Sequence, residues 1–298
     1  MGKKIFIFII AAIVLLVTGM SLGKIMTPSP ASMEGNGVIG VIEVNGVIAG
    51  DATSTLLSGT TGASSRQIME NIRQAAERKD IKAVVLRVNS PGGTTAASQE
   101  IAIELDRLRK SGKPIVTSMS DTCASGGYWI ACSTNHLVAN AGTLTGSIGV
   151  IMELTNLQGL YEKIGIGSIT FKSGEFKDMG SSTRPVTEEE RKLFDEMIAD
   201  NCQQFFTQVL NGRQGKISEE KLREIADGRV LTGKQALELG LVDSLGNYYD
   251  AIRIAEEMAG LPEGTKVEVI SSQSFFDRFM LQVKAPEIIK TQELMQLK

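Results

Sequence analysis

One histidine in 298 residues is the scarcity that constrains this chain most. A Ser-His-Asp triad, a Cys-His pair or a His-rich metal site would all have to use His136. That residue stands in Ser133-Thr-Asn-His136-Leu-Val, at the start of a short strand, where a surface role is the ordinary one. Cysteine is scarce too. Cys123, Cys132 and Cys202 form no C-x-x-C and no metal-ligand spacing, so no metal site and no disulfide framework is expected. Aromatics are 5% of residues, with a single Trp, which argues against stacking platforms for single-stranded nucleic acid. The net charge is −3 with no basic block, so nucleic acid is not an expected partner. No motif calls for a cofactor.

What remains is an ordinary globular composition, 42% apolar and 22% charged, behind an unusual N-terminus. Residues 5–23 are 19 residues without a charge, preceded by Lys3 and Lys4. That suffices to cross a bilayer. The Lys pair before the run, against Lys24 alone after it, predicts a single-pass anchor with residues 1–4 in the cytoplasm and the rest extracytoplasmic. A cleaved signal peptide is the competing reading, but the run is long for one and lacks an Ala-x-Ala site. Residues 24–37 read as linker, 38–270 as the folded domain and 271–298 as a tail. In that tail Phe275, Phe276, Phe279, Met280 and Val283 repeat at helical spacing.

Within the domain, apolar runs alternate with amphipathic stretches. Strands are expected over 37–49, 81–88, 114–119, 137–139, 168–171 and 266–270. Helices are expected over 63–79, 94–110, after Ser125, 157–164, from the Thr187/Glu190 capping box to Leu210, from Ser218 to Ala226, and over 249–259. This alternation predicts an α/β fold with mostly parallel strands. In such sheets ligands bind beyond the carboxyl ends of the strands. Two Gly-rich turns, Asn89–Gly93 and Ala124–Gly127, should share that edge on neighbouring strands.

The stretch Asp121-Thr-Cys-Ala-Ser125-Gly-Gly-Tyr-Trp-Ile organises the rest. A serine at a strand-to-helix turn with two glycines behind it is exposed beside free helix N–H groups. It is equally placed to be a helix N-cap, the commoner role of serine there. Cys123 could also be weighed as a nucleophile, but it lacks a histidine partner. A serine nucleophile without histidine needs another base, and lysine is the usual substitute. A lysine amine stays neutral only if its pKa is brought from about 10.4 to about 7 or 8, which burial in an apolar cleft can do. Lys177 lies in a Gly-bounded loop beside Phe171 and Phe176. On residues alone, the ordinary reading of such a lysine is a solvated one.

Five segments resolve this ambiguity together. Val88-Asn-Ser-Pro-Gly-Gly93, Ala124-Ser-Gly-Gly-Tyr128, Leu144-Thr-Gly-Ser-Ile-Gly149, Lys172-Ser-Gly-Glu-Phe-Lys177-Asp178 and Asp227-Gly-Arg-Val-Leu-Thr-Gly come in this order over about residues 38 to 250. With the N-terminal anchor, the set resembles the short-form signal peptide peptidase A family of membrane-anchored serine proteases, relatives of Clp protease and crotonase. The resemblance implies a ClpP/crotonase-like α/β core preceded by one transmembrane helix. It implies Ser125 as nucleophile, Lys177 as general base 52 residues later, the backbone N–H groups of Gly93 and Gly126 as oxyanion hole, and Ser147 as the serine that orients the lysine. It further implies homo-oligomeric domes acting on cleaved signal peptides and other unfolded peptides, by an acyl-enzyme. Two rivals share the fold: an acyl-CoA-processing crotonase relative and an inactive membrane scaffold.

Overall fold

The computed structural model describes residues 37–51, 53–55 and 59–271. The expected anchor over 5–23, residues 24–36 of its linker and residues 272–298 of the tail lie outside these residues. Among the described residues no helix is long and apolar enough to cross a membrane.

One sheet carries the fold. Its strands are Val38–Asn45 (β1), Ile81–Ser90 (β2), Ile115–Ala124 (β3), His136–Ala139 (β4), Leu144–Gly146 (β5), Val230–Thr232 (β6), Ser244–Leu245 (β7) and Val267–Val269 (β8). The order along the main path is β6-β5-β3-β2-β1-β8. All pairs are parallel except β5 with β6. The long strand β3 changes neighbour midway, pairing β4 from Val116 to Met119 and β5 from Thr122 to Ala124. The fold is thus mixed α/β, a mostly parallel sheet with flanking helices, as the alternation predicts.

Parallel strands need crossovers, and the crossovers cover both faces. The helices are Ser65–Glu77 (α1), Thr95–Lys110 (α2), Gly126–Ala131 (α3), Gln158–Lys163 (α4), Glu188–Gly212 (α5), Glu219–Ile225 (α6), Gly233–Glu238 (α7) and Tyr248–Ala259 (α8). Alternate side chains of the strands serve opposite layers. Ile39, Val41, Ala83, Val85 and Val116 meet Ala251, Ile252 and Ala255 of α8. Ile42, Val44, Val84, Leu86 and Val88 meet the larger core that includes Ile68 and Ile72 of α1 and Ile101 and Leu105 of α2. Burial on both faces explains why the middle of β2, Ala83-Val-Val-Leu86, is a continuous apolar run rather than an alternating one.

Helix ends follow the expected chemistry. Thr187 and Glu190 form the capping box of α5, and Ser218 caps α6. The end of α1 is closed by a residue sequence reading passes over. Lys113 Nζ donates to the carbonyls of Ala75 at 2.7 Å, Ala76 at 2.9 Å and Arg78 at 2.7 Å.

One expected element is absent. Residues 168–171 form no strand, and Ile169 and Phe171 are 82% and 93% exposed. Their composition favours a strand, but among the described residues no strand pairs with them, and β propensity measures packing against neighbours. Val230–Thr232 forms β6, antiparallel to β5.

A buried ion pair joins the end of α5 to the turn before β7. Arg213 donates to Asp243 at 2.8 and 2.9 Å, and both side chains are nearly inaccessible. Burial alone would push the Asp243 carboxyl up. The Arg213 fork outweighs it and holds the group far below the usual carboxylate range. A depressed carboxylate contributes stability above its unfolded pKa, about 3.9, and loses it as pH falls through the folded value. Asp243→Asn should therefore cost about 3–5 kcal/mol at neutral pH, by leaving Arg213 buried without its counter-charge. The gap from the parent protein should narrow below about pH 4. Denaturant melts at pH 7 and pH 3 check both.

Candidate active site

β3 ends at Ala124, and the chain turns sharply into α3 at Ser125. The turn is strained: Ser125 has φ 51° and ψ −122°. Side chains with Cβ rarely adopt positive φ, and such residues gather at functional sites. Among the described residues only one other non-glycine residue shares this sign, and it is Ser147, at φ 50°. Both are serines singled out from the sequence.

Ser125 occupies the N-cap position of α3, but its side chain makes no capping hydrogen bond. Ser125 is half-buried and lines a cleft of about 330 Å³. The elbow is held by the backbone instead. Ser125 N–H donates to Gly146 O at 2.9 Å, and Ser147 N–H donates to Arg229 O at 2.8 Å. Ser147 therefore follows directly on the carbonyl that fixes the elbow. Tyr128, fully buried in α3, donates its hydroxyl to Leu241 O at 2.7 Å and ties this six-residue helix to the core.

The second Gly-rich turn packs against the elbow, one strand over, as its position after β2 predicts. Gly92 has φ 112°, and a Cβ there would lie 2.7 Å from Ser125 Cβ and 2.8 Å from Gly126 N. A Cβ on Gly126 would lie 3.1 Å from Gly93 N. Only glycines let these backbones approach so closely. Gly126 N–H opens α3, and the first amides of a helix have no intrahelical acceptor. The Gly93 and Gly126 amides thus lie close together beside the strained serine. Residues 92–94 are pinned to the short strand Ile48–Ala49: Ile48 N–H donates to Gly92 O at 2.8 Å, and Thr94 N–H donates to Ile48 O at 2.9 Å.

The cleft is walled by Val47, Ser98, Trp129, Val150 and Phe205 as well as the glycines. Trp129 and Phe205 stack with ring centroids 4.8 Å apart. These walls were not legible in sequence, because Phe205 arrives from α5, 80 residues beyond Ser125. Its membership of an apolar helical stripe signals burial, not a cleft.

The other candidates divide clearly. His136 starts β4 opposite Val116, nine residues along β3 from Ser125, roughly 30 Å at the usual strand rise. Its Nε2 lies 2.9 Å from Ser244 Oγ, and burial lowers its pKa. Cys123 is fully buried, its thiol donates to Gly127 O at 3.4 Å, and burial pushes its pKa up strongly. The Cys132 thiol is likewise pushed up to about 12 by burial. Neither is a thiolate nucleophile. Among the described residues no group of three or more His, Cys, Asp or Glu is placed to hold a metal.

Lys177 is not among the residues that line the Ser125 cleft. It is exposed on a one-turn 3-10 helix, Glu175–Asp178, within a projecting segment, and not buried in an apolar cleft of its own chain. The structure brings Ser125, Gly93 and Gly126 together, with Ser147 beside them. It leaves Lys177 apart.

Comparison with known proteins gives the family. The model of peptidase family S49 matches residues 107–262, which include both Ser125 and Lys177. The chain is 41% identical over 215 residues to a candidate protease, slr0021, of Synechocystis sp., covering 72% of this chain and 76% of that protein. It is 37% identical to a candidate signal peptide peptidase SppA of Enterococcus faecium, covering 83% of this chain and 71% of the other. It is 40% identical to protease 4 of Salmonella typhi over 76% of this chain and 35% of that longer protein. With a strained serine beside two glycine amides at a parallel-sheet edge, and matches of this extent, the chain belongs to peptidase family S49, as a serine protease of the signal peptide peptidase A type.

Proposed function

We propose that the protein is a membrane-anchored endopeptidase that degrades cleaved signal peptides and other unfolded peptides outside the cytoplasm, using a Ser125–Lys177 dyad. The observation that carries the nucleophile is the strained Ser125 hydroxyl, which forgoes its cap and sits beside the Gly93 and Gly126 amides. The Lys177 amine takes the proton of Ser125 Oγ as the oxygen attacks the peptide carbonyl. The two amides receive the oxyanion. The amine returns the proton to the leaving nitrogen, which departs and leaves an ester on Ser125. Water, deprotonated by the same amine, then attacks the ester, and the amine returns that proton to Ser125 Oγ as it departs, releasing the acid. Ser147, beside the elbow, orients the amine. The apolar cleft walls suit extended apolar peptides.

The lysine comes from a neighbouring copy in this reading. Through Asp178 and Arg184 the Lys177 turn is tied to Glu190 at the start of α5. Phe205, at the Ser125 cleft, is 15 residues further, about 22 Å along the helix. The segment around Lys177 also exposes Ile169 and Phe171, more than 80% accessible each. An apolar patch of this kind marks an interface. Docked on a second chain, it would bury Lys177 in the low-dielectric setting a neutral lysine needs. The anchor over residues 5–23 supplies the membrane attachment.

Mixing tests this. Ser125→Ala and Lys177→Ala chains are each inactive alone. Co-assembled in equal amounts in a ring of head-to-tail contacts, about a quarter of the interfaces unite an intact serine with an intact lysine. Activity should return to about that fraction of the parent level. No recovery from mixed assemblies contradicts a dyad shared between chains.

A further inference from the structure

The turn that carries Lys177 has little to hold it. It is four residues long, with Lys177 N–H on Gly174 O at 3.2 Å and Met179 N–H on Phe176 O at 3.1 Å. A single 3-10 turn has no independent stability. Its side chains face solvent except for the residue next to the lysine. Asp178 is only 15% exposed, and three charge-assisted bonds converge on it. Arg184 Nε and Nη2 donate to its two carboxylate oxygens at 3.0 and 2.9 Å. Lys172 Nζ donates to Oδ1 at 2.8 Å and to Glu175 O at 2.8 Å.

The same guanidinium grips a second carboxylate. Arg184 Nη1 donates to Glu190 Oε2 at 3.0 Å, and Nη2 donates to Glu190 Oε1. Glu190 is nearly inaccessible and also accepts from Thr187 N–H at 3.0 Å, closing the capping box of α5. Arg184 Nη1 further donates to Pro185 O at 3.0 Å. One planar fork thus bridges Asp178 to the first turn of a 25-residue helix that is rooted in the core by Phe205, Phe206 and Val209. Exposed ion pairs contribute little as a rule. This one differs in being bidentate on both sides and in ending on a buried acid. Lysine could not replace it, since a single ammonium cannot span two carboxylates in that geometry.

We propose that Arg184 and Asp178 are positioning residues for Lys177: they clamp its turn to the start of α5 and so set where the amine is presented to a Ser125 cleft. This rests on Lys177 being the general base. Misplacing a reacting group by about 1 Å can cost about 100-fold in rate. The clamp acts on the chemical step and leaves the peptide-binding walls untouched.

The test is steady-state hydrolysis of an apolar peptide by the full chain, with assembly size checked for every variant. Asp178→Asn keeps the shape and leaves the Arg184–Glu190 grip intact, so it guards against a folding failure in Arg184→Met. Each should lower kcat by about 10- to 100-fold with KM changed less than about twofold. Arg184→Lys should fall between parent and Arg184→Met. Because the two residues act as one clamp, the double variant Asp178→Asn/Arg184→Met should be no slower than the slower single variant. Asp178→Asn with kcat within about twofold of the parent overturns the proposal, and so do losses that multiply in the double variant. Lys177→Ala separates the two readings. If it stays active, the dyad has failed; if it is inactive while the clamp variants are not, only the clamp has.

Discussion

Replacing Ser125 with alanine should abolish peptide hydrolysis, lowering kcat by about 10⁴-fold or more, while leaving the fold intact. The expectation of an intact fold is unusual for a residue at a helix start. A serine N-cap lost to alanine costs about 1 kcal/mol. Here the hydroxyl caps nothing, since the elbow is held by its own amide on Gly146 O and by the glycines packed against it. Alanine adopts the same positive φ at a similar cost. Thermal unfolding of Ser125→Ala should therefore match the parent within about 0.5 kcal/mol. Lys177→Ala should lose activity to a similar degree, and the double variant should be no worse than either, because nucleophile and base act in one step. A folded Ser125→Ala protein with more than about 1% of parent activity would be incompatible with this assignment.

Gly93→Ala should damage both stability and chemistry. A Cβ on Gly93 would lie 1.9 Å from Ile48 O and 2.6 Å from Ile48 C and N. These are backbone atoms and cannot swing aside, so the 92–94 turn must leave the Ile48 strand. The two hydrogen bonds that join them would weaken, each contributing about 1 kcal/mol. With strain added, a loss of about 2–4 kcal/mol is expected. The Gly93 amide would move with the turn, and losing one oxyanion donor costs about 10²–10³ in kcat. Gly142→Ala is the matched control: its Cβ meets nothing within 4 Å, and it should be neutral within about 0.5 kcal/mol. Denaturant melts and kcat of the two variants, side by side, check this.

The sheet core was legible because its strands are apolar on both faces, and α5 because its capping box is local chemistry. The neighbouring glycine turns followed from strand order alone. β3 was harder. Its apolar run stops at Met119, yet the strand continues to Ala124 through Ser120, Asp121 and Thr122. Polar partners explain this: Arg87 donates to Ser118 and Ser120, and Asn89 bonds the Asp121 side chain and the Thr122 amide. Hydrophobic pattern carries no record of such bonds. Phe171 and Ile169 misled in the opposite sense, being strand-like residues on an unpartnered projection. The serine half of the site was visible because a strand, a turn and a helix lie close in sequence. The lysine proposed as its partner rests on family resemblance, since the Lys177 turn is held by an arginine bridging two acids rather than by burial in its own chain.

The most direct test of the central claim is to trap the covalent intermediate. The folded, assembled protein is treated with a fluorophosphonate and the modified residue is identified by mass spectrometry. One modification per chain is expected, on Ser125, absent from Ser125→Ala and strongly slowed in Lys177→Ala. Modification at Cys123 or another residue, or peptide hydrolysis that continues while Ser125 stays unmodified, would contradict the account.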